Sequence, residues 1–332
     1  MTQHRDGSEV VVVTGASAGV GRATVRRFAR DRARIALLAR GEERLEAAAS
    51  EVEAVGGEAL VLPVDVADAD AVEDAASRAE ERFGPIDIWI NNAMTSVFAE
   101  VPDVKPAEYR RVMEVNYLGY VHGTLSALKR MLPRDRGRLV QVGSALAFRG
   151  IPLQAAYCAS KHAIEGFNDA LRTELIHNGS NVSLHSVHLP AVNTPQFEWV
   201  LSRLPNRSQP VPPIYQPEVA ADAIHWAAHS SRAVLFVGAP TFKTVYGQRT
   251  VPRLLDHYLA RTGYDGQQTD EPRTEDIANL WDPAPGDFAA HGRFGDRSRE
   301  RSPLLWASKN RSWLTLFGGA ALAAAGVLAA RR

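Results

Sequence analysis

Four consecutive valines, Val10 to Val13, run into Thr14-Gly15-Ala16-Ser17-Ala18-Gly19-Val20-Gly21, and a helical pattern opens at Arg22. No other feature limits the fold as strongly. A β-branched run without polar alternation predicts a strand covered on both faces. The glycines permit a tight turn and let the backbone come close to a ligand. The helix that follows turns the positive end of its dipole toward that turn. A glycine triplet alone is a weak signal, but strand, loop and helix in this order point to the pyrophosphate of a dinucleotide. Gly15, Ser17, Ala18, Gly19, Val20 and Gly21 are the expected contacts.

The chain then repeats the unit. Apolar runs at 10–14, 34–39, 59–64, 86–91, 138–143, 182–189 and 233–237 predict strands, and helical patterns cover 22–31, 42–55, 68–83, 107–131 and 155–177. Such alternation implies right-handed crossovers and a doubly wound parallel sheet, a Rossmann-like α/β fold in a single domain. The layout read from the 332 residues is a polar tail over 1–8, a catalytic domain over 9–262, a polar extension over 263–310 and a terminal segment over 311–332. Lys plus Arg and Asp plus Glu are each 38, so no net basic field exists to hold nucleic acid. The single cysteine, Cys158, excludes an internal disulfide. The histidines show no metal-ligand spacing, so no metal is expected.

Two segments break the rhythm. Residues 193–216 carry five prolines among Phe197, Trp199, Val200, Leu201, Leu204, Val211, Ile214 and Tyr215. A loop this long inside a compact domain reads as a lid, here one suited to an apolar substrate. Residues 313–330 lack any charge and are flanked by Lys309, Arg311, Arg331 and Arg332. As a helix this run spans ~27 Å, enough for a bilayer core. The expectation is a C-terminal membrane anchor, with the catalytic domain on the cytoplasmic face.

Four further residues suggest chemistry. Tyr157 and Lys161 lie four apart on a predicted helix, hence on one face, and a nearby cation favours the phenolate. Ser144 ends the fifth strand, where it could hydrogen-bond a carbonyl oxygen. Asn116 stands inside a long helix, a place where Asn is expected to bond something. Arg40 ends the second strand, where a cofactor lacking the 2′-phosphate would call for an acid, and Arg44 follows one turn later. Guanidinium pairs well with phosphate, so NADP is the expected cofactor.

Together these motifs resemble the short-chain dehydrogenase/reductase family over about residues 10–238. The loop is similar to that family's TGxxxGxG, and Asp65-Val66 to its adenine-contacting pair. Asn91-Asn92-Ala93 resembles the start of its NNAG, with Met94 in place of the glycine. Asn116, Ser144, Tyr157 and Lys161 fall at its catalytic tetrad. Residues 190–194, with Val192 and Thr194, resemble the segment that meets the nicotinamide, though Ala191 replaces a glycine.

The resemblance implies that Tyr157 exchanges a proton with a carbonyl or alcohol oxygen while hydride passes to or from the nicotinamide. Ser144 polarises that oxygen, Lys161 lowers the Tyr157 pKa and holds the ribose, and Asn116 supports a proton relay. It also implies a homodimer or homotetramer built on the two long helices. The expected substrate is a bulky lipophilic carbonyl or secondary alcohol. A 3-oxoacyl-thioester reductase of lipid synthesis would use the same residues, and a non-catalytic dinucleotide sensor would keep the same fold.

Overall fold

The computed structural model describes residues 8–273 and 277–311. Seven strands form one sheet: β1 (Val10–Thr14), β2 (Arg34–Ala39), β3 (Glu58–Pro63), β4 (Ile88–Asn91), β5 (Arg138–Ser144), β6 (Ser183–Leu189) and β7 (Val234–Phe236). Every pairing among them is parallel, in the order β7-β6-β5-β4-β1-β2-β3. The described helices are α1 (Gly19–Ala29), α2 (Glu42–Glu53), α3 (Ala69–Phe83), α4 (Pro106–Met113), α5 (Gly119–Met131), α6 (Ala155–His177), α7 (Gln196–Trp199), α8 (Pro217–Ala228), α9 (Gly238–Thr250), α10 (Pro252–Thr262) and α11 (Pro303–Lys309). This is the doubly wound, Rossmann-like architecture expected from the alternation.

The valine run shows why the sheet lies at the centre. Side chains alternate across a strand, so Val11 and Val13 pack with α1, α2 and α8 while Val10 and Val12 pack with α3, α5 and α6. Val11, Val12 and Val13 are fully buried. Each such side chain contributes ~1.5–3 kcal/mol relative to exposure, so neither face tolerates a polar residue. The winding reverses between β1 and β4, and their carboxyl ends therefore open a crevice, the usual ligand position in such sheets.

Residues 107–131 do not form one uninterrupted helix. A π-helical turn, Glu114–Leu118, separates α4 from α5 and holds Asn116. Residues 193–216 are tied down by α7 and by short pairings: Leu201–Ser202 with Val97–Phe98, Asn206–Ser208 with Gln268–Pro272, and Ile214–Tyr215 with Ser298–Arg299. Phe197, Val200, Leu204 and Ile214 are buried against Phe98, Leu153 and Phe294. The extension beyond α10 is irregular and lies against the core, burying Leu280, Ala284, Ala290 and Phe294.

The membrane localisation inferred from the C-terminal run needs correction. Among the described residues no helix is long and apolar enough to cross a membrane. The stretch 313–330 itself lies outside the described residues.

Candidate active site

The crevice at the β1/β4 reversal is a cavity of about 790 Å³. Gly15, Ser17, Ala18, Gly19 and Val20 line it, with Arg40, Asp65, Val66, Asn92 and Ala93, and with Val192 and Thr194 after β6. Ser144, Tyr157 and Lys161 line the same cavity. Residues from these seven segments of sequence meet there because parallel strands all deliver their carboxyl ends to one edge of the sheet.

The loop is latched rather than free. Thr14 Oγ1 accepts from the backbone N–H of Asn92 at 2.9 Å and of Ala93 at 3.1 Å, and Asn92 Nδ2 donates to the Thr14 carbonyl at 3.0 Å. Gly15 has φ +65°, and a Cβ there would sit 2.8 Å from Ala93 Cα. Gly21 does not line the cavity. A Cβ on it would fall 2.0 Å from the Gly15 carbonyl oxygen, so its absence lets helix and loop close together. Ala18 precedes α1 without a side-chain cap, and the Gly19 N–H at the start of the helix donates to the Ala289 carbonyl at 3.1 Å. An uncapped helix start beside glycines that no side chain could replace suits a pyrophosphate.

On the catalytic side, Lys161 Nζ donates to Tyr120 Oη at 3.1 Å and to the Val142 carbonyl at 3.0 Å. It lies 5.7 Å from the centroid of the Tyr157 ring. Burial pulls the ammonium down to about 7, partly opposed by Glu165 one turn further along α6. Burial pushes the Tyr157 phenol up to about 12, partly offset by its hydrogen bond with Ser144. Desolvation therefore outweighs the cation's influence on the phenol, which keeps its proton at neutral pH. Glu165 is itself raised to about 7 by burial, 3.5 Å from His188 Nε2.

Asn116 is fully buried behind the cavity and does not line it. Its Oδ1 accepts from the Thr95 N–H at 2.8 Å, and its Nδ2 donates to the Thr95 carbonyl and to Ser160 Oγ, each at 3.0 Å. Its side chain thus bonds across to Thr95 and to Ser160 of α6, from within a π-helical turn, a feature frequent at functional sites. Tyr120, the partner of Lys161, was missed by the sequence reading. It stands four residues beyond Asn116, on the same helical run, so its position was an available signal.

Arg40 is placed differently from expectation. Its guanidinium lines the cavity but donates to the backbone carbonyls of Asn279, Leu280 and Trp281. Arg44 donates to the Ala284 carbonyl and stacks over Trp199, 5.3 Å from the ring centroid. Asp65 pairs with Arg111, which also donates to the Leu280 carbonyl at 3.0 Å. All these carbonyls belong to the extension, a stretch too poor in aliphatic periodicity to announce a place in the site.

The family model described as short chain dehydrogenase matches residues 9–202. An uncharacterized oxidoreductase of Bacillus subtilis, YxnA, is 32% identical over 268 residues, covering 80% of this chain and 75% of its own. A fatty acyl-CoA reductase of Acinetobacter baylyi is 30% identical, covering 66% of this chain and 72% of its own. Among solved structures, an alcohol dehydrogenase from the archaeon Thermococcus sibiricus, complexed with 5-hydroxy-NADP, superposes with a TM-score of 0.59 at 27% identity. It matches 69% of this chain and 96% of that one.

Proposed function

Because the chain belongs to the short-chain dehydrogenase family, an oxidoreductase family that uses a nicotinamide dinucleotide, we propose that it interconverts lipophilic carbonyl compounds and secondary alcohols with NADP(H). The observation that carries this reading is the single cavity shared by the glycine loop and by Ser144, Tyr157 and Lys161. Gly15, Ser17, Ala18, Gly19 and Val20 would hold the pyrophosphate, Asp65 and Val66 the adenine, and Val192 and Thr194 the nicotinamide end. When bound, the dinucleotide supplies or accepts the hydride.

In the reducing direction Tyr157, protonated at neutral pH, gives its proton to the carbonyl oxygen as charge develops there. Ser144 donates a hydrogen bond to the same oxygen. Lys161 holds positive charge beside the phenolate that results, and the Tyr120 hydroxyl and Val142 carbonyl fix its direction. Asn116 secures the Thr95 backbone and Ser160 behind these groups. In the oxidising direction the same atoms carry the proton back.

The substrate end of the cavity is lined by Phe98, Leu146, Ile151, Phe197, Val211 and Leu259. That lining supports a lipophilic substrate, as does the similarity to a fatty acyl-CoA reductase. Each methylene taken from water contributes ~0.8 kcal/mol, so efficiency with a series of straight-chain ketones or aldehydes should rise about three- to fourfold per carbon until the cavity is filled. Following NADPH oxidation across such a series tests the reading. Best activity on small polar sugars would end it.

Arg40 is the proposed partner of the 2′-phosphate. A hydrogen bond to a charged group is worth ~1.5–3 kcal/mol, so Arg40→Ala should cut kcat/KM for NADP by roughly 10- to 100-fold and for NAD by much less. A wild type that already favours NAD, or an equal loss with both cofactors, refutes this role. Exposed Leu125 on α5 and Ile176 on α6 support the further proposal of a homodimer or homotetramer through these helices. Light scattering that returns a monomer at micromolar concentration would reject it.

A further inference from the structure

Residues 279–294 run beside the crevice as a strap, fixed near Arg40, at the start of α1 and at residues 193–194. At the Arg40 end the Asn279 N–H donates to the Trp199 carbonyl at 3.0 Å, and Leu280 is fully buried beneath Arg111. Phe288 packs edge-on against Trp199 with ring centroids 4.6 Å apart. At the start of α1 the Gly19 N–H donates to the Ala289 carbonyl at 3.1 Å, and Ala290 is buried against Ala23 and Ala221. At the far end Asn193 Oδ1 accepts from the Phe294 N–H at 3.0 Å. Gly292 lies so close to that segment that a Cβ would stand 2.6 Å from the Thr194 carbonyl oxygen. Asn279 and Pro283 line the same cavity as the glycine loop.

We propose that this strap is the outer wall of the dinucleotide site and that it must lift for the cofactor to exchange. The inference rests on the reading of the crevice as a dinucleotide site and adds residues outside the segment that the family model matches. Its physical basis is enclosure. The loop and the strand ends line the crevice, and the strap, bound at the Arg40, α1 and Thr194 positions, adds Asn279 and Pro283 to its wall. A ligand held between two walls leaves only when one of them opens, so the strap governs release. Hydrogen bonds from Arg40 and Gly19 to strap carbonyls hold that wall shut until the phosphates take those donors, after which the buried Leu280 and Ala290 and the Phe288–Trp199 contact keep it anchored.

The test follows NADPH fluorescence as excess NADP displaces it in stopped flow, on full-length protein. Two variants are used: Leu280→Ala, which loosens a buried anchor, and Phe288→Ala, which removes a half-buried contact and leaves the core intact. Both should release NADPH at least ~10-fold faster and bind it more weakly, since changes at one interface act mainly on dissociation. Hydrogen exchange of the 279–294 amides should slow when NADPH is added to wild type. Unchanged release in Phe288→Ala overturns the proposal, and so does tighter binding in either variant, which would make the strap a competitor of the nucleotide. A wild type that binds neither NADPH nor NADH sinks the dinucleotide reading itself, an outcome distinct from normal binding with unchanged release.

Discussion

Tyr157→Phe should lower turnover by at least ~100-fold while leaving the fold and cofactor binding intact. Removing one oxygen deletes the phenol hydroxyl that shares the cavity with Ser144 and Lys161, and a positioned acid or base is worth about 10²–10⁴-fold. The ring stays, so the cavity keeps its shape. The Ser144 hydroxyl loses one partner but keeps its bond from the Leu146 N–H at 3.1 Å. The assay is NADPH oxidation with the best substrate of the chain-length series, run beside a melting curve. A folded variant with near-normal turnover would remove Tyr157 from the reaction.

The second large effect joins activity to stability at Lys161. Burial holds its pKa at about 7 in the folded protein against 10.5 for a free side chain. The unfolded chain therefore binds more protons between about pH 7 and 10.5, and stability rises with pH across that window. Below pH 7 the whole cost of burying the charge is present. Lys161→Met removes that cost, and Tyr120 Oη still donates to the Val142 carbonyl at 2.9 Å, so no buried partner is orphaned. We predict a melting temperature higher than wild type by a few degrees at pH 6, since ~1 kcal/mol corresponds to roughly 2–4 °C in a domain of this class. The gap should narrow by pH 9. Turnover should fall by at least ~100-fold, the usual loss when a preorganised electrostatic group is removed. Calorimetry at the two pH values decides it, and a variant less stable than wild type at pH 6 refutes the burial argument.

These two residues also mark how far the sequence could be read. The spacing of Tyr157 and Lys161 placed them on one helical face, and α6 runs over the expected Ala155–His177. The direction of the Tyr157 shift was another matter. From the sequence, the neighbouring ammonium should draw the phenol down. In the structure, burial raises it, and Lys161 points to Tyr120 and Val142. Desolvation depends on everything packed around a group, and no local pattern reports that.

Periodicity and glycine placement determined by themselves the β1–loop–α1 unit and the parallel sheet, while the grouping of Ser144, Tyr157 and Lys161 with the glycine loop was what the family resemblance implied. Those features are local or follow from chirality: a β-branched run makes a strand, a right-handed crossover returns it parallel, and parallel strands bring their carboxyl ends to one edge. Only the tertiary structure decided what covers that edge. The strap over 279–294 has no repeat and few aliphatics, and it stays in place through isolated anchors, Leu280, Ala290 and Phe294, together with backbone carbonyls that bond Arg40, Arg44 and Gly19. Backbone carbonyls are the same in every residue, so their partners are set by where the chain passes and cannot be read from which residues it contains.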